Sequence, residues 1–173
     1  MRGNSRKNIG LIGFMGTGKS TIGKALAEST NKQFFDTDKI IEEKSGKTVS
    51  LIFEKSGENV FRRLESDVVV EVCQNESAVI SFGGGVVLSS SNVETIRKSC
   101  VVVLLRATVD SIFERTHSMN VRPLLNEQDR RSKIGEMLDT RMGAYESSMD
   151  IAVDTDFRDP LDLVEEIRRR LKI

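Results

Sequence analysis

The sequence predicts an α/β fold in which a mostly parallel, five-stranded sheet is covered by helices on both faces. Three observations carry that prediction. Short apolar runs alternate with stretches of helical periodicity along almost the whole chain. The run Val101 to Leu105 is apolar throughout, as in a strand buried on both faces. A glycine-rich turn at residues 13–20 separates a strand pattern from a helix pattern, the junction that opens many parallel-sheet proteins.

The elements follow in order. Asn8 to Ile12 is a first strand ending at glycine, and Lys19 to Ser29 a helix bearing Ile22 and Leu26. Gln33 to Asp36 is a second strand. From Asp38 the positions of Ile40, Ile41, Val49, Ile52 and Phe53 suggest helices broken near Gly46. Gly57 to Gln74 reads as one long helix, although Val68 to Val70 is β-branched and suits a strand as well. Ala78 to Phe82 is a third strand running into three glycines, and Val93 to Lys98 belongs to a helix. Val101 to Leu105 is the fourth strand, followed by a helix over Thr108 to Thr116. Ser118 to Asp129 is polar, contains Arg122-Pro123, and suits a loop or lid. Arg130 to Ser147 is helical and Asp150 to Asp154 is the last strand. Asp159-Pro160 then caps and opens a terminal helix with Leu161, Val164, Ile167 and Leu171 on its apolar face.

Composition narrows the class. Of 173 residues, 26 are Lys or Arg and 26 are Asp or Glu, so the net charge is zero. That balance argues against a dedicated nucleic-acid binder, which is more often strongly basic. Together with a 38% hydrophobic share it fits one soluble domain spanning residues 1–173. No apolar run is long enough to cross a membrane, and Met1 to Asn8 is basic without a hydrophobic signal core, so a cytoplasmic location is expected. Cys73 and Cys100 form no CxxC, and His117, the only histidine, has no partners at zinc-ligand spacing.

The strongest local signal is GFMGTGKS at residues 13–20, which matches G-x-x-x-x-G-K-[ST] with a strand before it and a helix after. Glycines let backbone amides turn inward around a phosphate, and the helix N-terminus points at the same anion. Lys19 is placed for β- and γ-phosphates and Ser20 for Mg2+. Asp36 and Asp38 stand at i and i+2 past the second strand. In an extended segment both carboxylates point to one side, toward the ligand crevice at the strand ends; a solvated turn with a helix cap is the plainer reading. Ser81 and Gly83-Gly84-Gly85 end the third strand, where glycines mark a turn or a close backbone approach. Arg62, Arg122 and Arg141 are candidates for gripping phosphoryl or carboxylate oxygens.

From residue 7 to residue 172 the chain resembles the shikimate kinases. The ordered blocks are GFMGTGKST at 13–21, FFDTD at 34–38, IFEKSGENVFRRLE at 52–65, FGGG at 82–85, ERT at 114–116 and VRPLL at 121–125. The resemblance implies a P-loop NTPase-like three-layer sandwich, similar to nucleoside monophosphate kinases, with sheet order 2-3-1-4-5. It also implies transfer of the γ-phosphoryl of ATP to the 3-hydroxyl of shikimate, with Mg2+, in a monomer. By that likeness Gly16, Thr17, Gly18, Lys19, Ser20 and Thr21 hold the phosphates. Ser20 and Asp36 serve the metal, and Asp38 meets the substrate hydroxyls as the candidate base. Arg62 and Arg141 pair with the shikimate carboxylate, Glu65 orients Arg62, and Phe53 and Phe61 wall the ring. Gly83, Gly84 and Gly85 line the pocket, with the Gly84 amide offered to substrate. Arg122 is the lid arginine, and Arg115 and Arg158 are adenine-side contacts. The substrate-binding region spans about 37–65 and the lid about 116–128. One departure is Gly143, where many relatives carry proline, which implies a looser helix end around Arg141. A kinase for gluconate, also a polyhydroxy acid, is the alternative, and a nucleotide-dependent binder without transfer is a third reading.

Overall fold

The computed structural model describes residues 6–116 and 127–173. Five strands, β1 (Asn8–Ile12), β2 (Gln33–Asp36), β3 (Ala78–Ser81), β4 (Cys100–Arg106) and β5 (Ile151–Asp154), form one sheet in the order β2-β3-β1-β4-β5. Every neighbouring pair is parallel, with Ile9 opposite Val79 and Val101, Phe35 opposite Ile80, and Leu104 opposite Ala152. The order 2-3-1-4-5 implied by the resemblance is therefore the observed one.

Parallel pairing forces a crossover between strands, and the helices supply it. They are α1 (Lys19–Ser29), α2 (Thr37–Ser45), α3 (Val49–Ser56), α4 (Glu58–Val72), α5 (Ser90–Ser99), α6 (Val109–Thr116), α7 (Glu127–Ser148) and α8 (Pro160–Leu171). Strand side chains alternate between two cores. Ile9, Leu11, Val79, Val103 and Leu105 pack with Ile22 and Leu26 of α1 and with Leu163, Val164 and Ile167 of α8. Ile12, Ile80, Val102 and Leu104 pack on the other face with Phe61, Val68 and Val72 of α4, Ile96 of α5 and Tyr145 of α7. The apolar run of β4 is explained by this: Val102 and Leu104 enter one core, and Val103 and Leu105 the other.

Several boundaries are set by local chemistry. Thr48, Ser89 and Asp159 cap α3, α5 and α8 by accepting from the amides of Leu51, Asn92 and Leu161. Gly46 ends α2 in the left-handed region at φ 65°. The β-branched run Val68 to Val70 is helical, because Phe61, Glu65, Val68, Val69 and Val72 fall on one buried stripe. Three expectations differ from the structure. The third strand stops at Ser81, and Val86–Leu88 forms a short 3-10 turn. Leu161 is 67% exposed, and Leu163 takes its place on the α8 face. The long helix α7 begins at Glu127, inside the stretch read as polar loop, and the rest of that loop lies outside the described residues.

Gly143 does not loosen a helix end. It sits inside α7, which continues to Ser148, and a Cβ there would meet nothing within 4 Å. Alanine should therefore restrict the unfolded chain without a steric cost. We expect Gly143→Ala to stabilise the fold by about 0.5–1 kcal/mol, a rise in Tm of about 1–4 °C for a domain of this size. Thermal denaturation followed by circular dichroism checks it; a lowered Tm would mean that the backbone at Gly143 needs glycine.

Candidate active site

The phosphate-binding loop leaves β1, the central strand, at the point where the chain order reverses from one side of the sheet to the other. Ligands of open parallel sheets sit in the crevice beyond such a point. The loop turns on glycines. Gly13 (φ 144°), Gly16 (φ 76°) and Gly18 (φ 89°) all have positive φ, and a Cβ on Gly13 would lie 2.3 Å from the Leu105 carbonyl oxygen. Gly18 is the N-cap of α1 and contributes no side chain there, so the amides of the first turn face outward without a side-chain partner. Thr17 is buried and donates its hydroxyl to the Phe14 carbonyl at 2.8 Å, holding the loop closed. Thr21 is exposed on α1.

Lys19 folds back over this loop. Its Nζ donates to the carbonyls of Gly13 and Phe14, both at 2.9 Å. Burial lowers its pKa from 10.5 to about 8, against the opposing pull of the Asp38 and Asp36 carboxylates. Ser20 Oγ donates to Asp36 Oδ2 at 2.5 Å, so two hard oxygens meet beside the loop. The two acids do not share an extended segment. The strand ends at Asp36, whose Oδ1 accepts from the Lys39 amide at 3.4 Å and caps α2, while Asp38 lies in the first helical turn. Asp36 thus caps α2 through Oδ1 and keeps Oδ2 for the serine.

The end of β3 makes the second half of the site. A Cβ on Gly83 would lie 2.6 Å from Asp38 Oδ1 and 2.9 Å from Glu65 Oε1. A Cβ on Gly85 would lie 2.3 and 2.5 Å from the two terminal nitrogens of Arg62. Three charged side chains thus press against a bare backbone. Arg62 is held by Glu65 Oε2 at 2.8 Å on one side and Glu58 Oε1 at 3.0 Å on the other. Its guanidinium lies 5.4 Å from the Phe61 ring centroid, and Phe61 stacks against Phe53 at 4.6 Å. Arg63, the next residue, is exposed. Arg141 reaches in from α7: its Nη1 is 3.4 Å from the Gly84 carbonyl, and its guanidinium is 5.5 Å from the Phe14 ring. Gly84 itself lies against the phosphate-binding loop, its missing Cβ 3.4 Å from Met15 N.

Two oxygens in this cluster are orphaned. Asp38 Oδ1 and Glu65 Oε1 are buried and accept no hydrogen bond among the described residues. Burial raises the pKa of both carboxyls, opposed by Lys19 at Asp38 and by Arg62 at Glu65. Buried acceptors without donors are costly unless something else supplies the donors. The cluster is thus shaped to receive hydroxyl groups, with cations on three sides.

Comparison with known proteins decides the family. A shikimate kinase family model matches residues 15–172. The shikimate kinase of Caldanaerobacter subterraneus subsp. tengcongensis is 40% identical over 163 residues, 94% of this chain and 95% of that one. The shikimate kinase of Actinobacillus succinogenes is 43% identical over 152 residues, 87% of each chain. Among solved structures, the Acinetobacter baumannii shikimate kinase in complex with shikimate superposes with a TM-score of 0.90 at 34% identity, covering 97% of this chain and 94% of that one. The chain belongs to the shikimate kinase family. A gluconokinase from Sinorhizobium meliloti reaches a TM-score of 0.60 at 18% identity, a likeness of fold alone.

Most residues that the shikimate kinase resemblance singled out converge at the strand ends. Lys19, Ser20, Asp36, Asp38, Arg62, Glu65, Gly83, Gly84, Gly85 and Arg141 are joined by the contacts above. Phe53, at 37% exposure, reaches the group through Phe61. Arg115 sits on the far side of the phosphate-binding loop, donating to the Gly16 carbonyl at 3.2 Å and to Thr155 Oγ1 at 2.9 Å. Arg158 is turned toward Glu166, 2.6 Å away, rather than toward the loop. Arg122 lies outside the described residues. Residue patterns alone missed three supports. Thr37, between the two acids, accepts from the Gly83 amide at 3.0 Å. Tyr145 donates to the Gly84 carbonyl from a fully buried ring. Phe14 offers Arg141 its ring from within the phosphate-binding motif. The signals beforehand were the position of Thr37 between Asp36 and Asp38 and the spacing of Tyr145 from Arg141, which matches the family's late-helix motif.

A carboxyl whose folded-state pKa is raised destabilises the fold in its ionised form. The penalty is full above the folded pKa and vanishes below the unfolded one, where the group is neutral in both states. Asp38→Asn should therefore raise Tm at pH 8 relative to wild type, and the gain should shrink toward zero as pH falls below about 4. Thermal melts across that range check the sign. A variant less stable than wild type at pH 8 would show that attraction to Lys19 outweighs burial.

Proposed function

We propose that the chain transfers the γ-phosphoryl group of ATP to the 3-hydroxyl of shikimate, giving ADP and shikimate 3-phosphate. The observation that carries this reading is the pair of orphaned carboxylate oxygens, Asp38 Oδ1 and Glu65 Oε1, against Gly83. They stand between a phosphate-binding loop and two arginines. Hydroxyl donors would satisfy both oxygens, and a substrate carboxylate would meet Arg62 and Arg141 in the bidentate fashion guanidinium groups favour. A small polyhydroxy carboxylic acid fits that set of partners. Shikimate is preferred over gluconate because the family and the close superposition on the shikimate-bound relative support it, whereas the gluconokinase shares only the fold.

The roles follow from position. The amides of Gly16 to Thr21 at the start of α1 would cradle the ATP phosphates, and Lys19 would swing from the Gly13 and Phe14 carbonyls to the β- and γ-phosphates. Asp38 would accept the hydrogen bond of the attacking hydroxyl and take its proton; burial raises its affinity for that proton. Glu65 would hold Arg62 and a second hydroxyl. The stacked Phe53 and Phe61 would pack against the apolar edge of the ring. Ser20 and Asp36 fit Mg2+: both offer hard oxygens, and a metal that keeps waters and phosphate ligands needs few from protein. When bound, Mg2+ would neutralise charge on the phosphate oxygens. Arg115 and Arg158 would flank the adenine side, and Arg122 would close over the transferring group from a lid at about 116–128. The substrate-binding region would span about 37–65 of one domain acting as a monomer in the cytoplasm. No described helix is long and apolar enough to cross a membrane.

A coupled ADP-release assay tests the reading. Shikimate should support turnover at least ~100-fold better in kcat/KM than gluconate or a nucleoside monophosphate, as hydrogen-bonded specificity allows; equal turnover with gluconate would overturn the choice. In the same assay Gly85→Ala should raise the KM for shikimate by about 10- to 100-fold, the cost of losing charge-assisted hydrogen bonds. Its Cβ meets the flexible end of Arg62 rather than backbone, so the fold should survive, with a Tm lowered by the weakened pairing of Arg62 with buried Glu65.

The depressed pKa of Lys19 adds a pH signature. Below about 8 the free side chain is ammonium, and above it the neutral amine predominates. Phosphate binding favours the ammonium form, so ATP binding at pH 8.5 should take up a proton. Calorimetry in buffers of different ionisation enthalpy measures this, and kcat/KM for ATP should fall as pH rises past 8. Binding with no proton uptake would place Lys19 fully charged beforehand.

A further inference from the structure

The carbonyls of the glycine turn after β3 are satisfied in two ways. The Gly83 carbonyl accepts from the Val86 amide at 3.1 Å and the Gly85 carbonyl from the Leu88 amide at 3.0 Å, both within the local chain. The Gly84 carbonyl has no such backbone donor among the described residues and depends on α7. Two side chains one helical turn apart reach it, Arg141 and Tyr145. A carbonyl oxygen has two lone pairs, so both can donate at once.

The two donors are unequal. Tyr145 is 1% exposed, and its ring belongs to the core that holds Ile80 and Leu104. Burial pushes its phenol up to about 12, against the pull of the neighbouring Arg141 guanidinium. The hydroxyl therefore keeps its proton, and with it the hydrogen bond, across the ordinary pH range. Arg141 is only partly buried, and its bond to the same oxygen is 3.4 Å long. Its guanidinium otherwise faces the Phe14 ring at 5.5 Å. Among the described residues it forms no ion pair, whereas Arg62 is held by both Glu58 and Glu65. Arg141 is thus the cation of the site that is most easily drawn to an arriving anion. What such an anion must break is the bond from Arg141 to Gly84. A part-buried carbonyl that loses its last donor is costly, and one that keeps a second donor is not. The Tyr145 hydroxyl is that second donor.

We propose that Tyr145 is a positioning residue for the substrate carboxylate: it keeps the Gly84 carbonyl satisfied, so that Arg141 can turn from the carbonyl to the carboxylate. The inference rests on the kinase reading above. It gives Tyr145 a role in substrate affinity that acts through Arg141, with no contact of its own to the substrate. Without the hydroxyl, Arg141 becomes the carbonyl's sole donor and is held back from the substrate.

Tyr145→Phe removes one oxygen and leaves the ring in the core, so the fold should survive. In steady-state assays it should raise the KM for shikimate by about 5- to 30-fold, the range for one charge-assisted hydrogen bond weakened. The kcat and the KM for ATP should stay near wild type. Two readouts separate this role from a general loosening of the site. With a shikimate analogue that lacks the carboxylate, Tyr145→Phe should leave kcat/KM at the wild-type value, because Arg141 then has nothing to grip. In an Arg141→Ala background, Tyr145→Phe should add no further rise in the KM for shikimate. An unchanged KM for shikimate in Tyr145→Phe overturns the proposal. So does an equal loss with the analogue, or a rise by the same factor in the Arg141→Ala background. A wild-type chain that does not phosphorylate shikimate overturns the kinase reading and this role with it. An active wild type whose KM is unmoved by Tyr145→Phe overturns the role alone.

Discussion

The site depends on what the turn after β3 lacks. Two carboxylates and a guanidinium converge on the backbone of Gly83 and Gly85 at distances no Cβ would permit. That bare backbone lets Asp38 from α2 and Glu65 and Arg62 from α4 close on one point at the strand end. It also leaves the Gly84 carbonyl open to Arg141 and Tyr145 from α7. Three separate helices are therefore referenced to one turn. A side chain at either of the outer glycines would displace one of these charged groups before it touched the core.

The charges brought together this way are arranged in alternation. Lys19 lies between the fields of Asp36 and Asp38, and Arg62 lies between Glu58 and Glu65. Each cation moderates the burial of its neighbours, but neither removes it. The carboxyl pKa values remain raised and the lysine pKa remains lowered. Such a cluster stores unfavourable desolvation in the free protein, which polar ligand groups can relieve. The most buried acid, Glu65, has no accessible surface at all, yet one of its two oxygens is left without a donor. A protein optimised only for stability would not keep that arrangement.

The scaffold makes the arrangement affordable by keeping the rest of the crevice floor apolar and rigid. Both faces of the sheet are packed, and the central strand β1 is buried along its whole length. The loop that follows it starts from a fixed position, and its own closure is secured by Thr17. On the opposite side of that loop Arg115 links it to the β5–α8 connection, so the two ends of the crevice share a common support.

The sequence by itself determined a good deal here, because some chemistry is local. Alternating periodicities specify crossover strands and helices, and the spacing of Gly13, Gly18, Lys19 and Ser20 specifies a phosphate loop wherever a strand feeds a helix. The ordered blocks were enough to indicate the family. Other features depended on residues far apart in the chain. The helical state of Val68 to Val70 was decided by one buried stripe against the sheet, which outweighed β-branching. The separation of Asp36 and Asp38 into a strand end and a helix start, the donation from Tyr145 to Gly84, and the exposure of Phe157 could not be read from spacing. Hydrogen bonds and burial are properties of distance in space, and only the tertiary structure brings residue 84 to residue 145 or leaves residue 157 facing solvent.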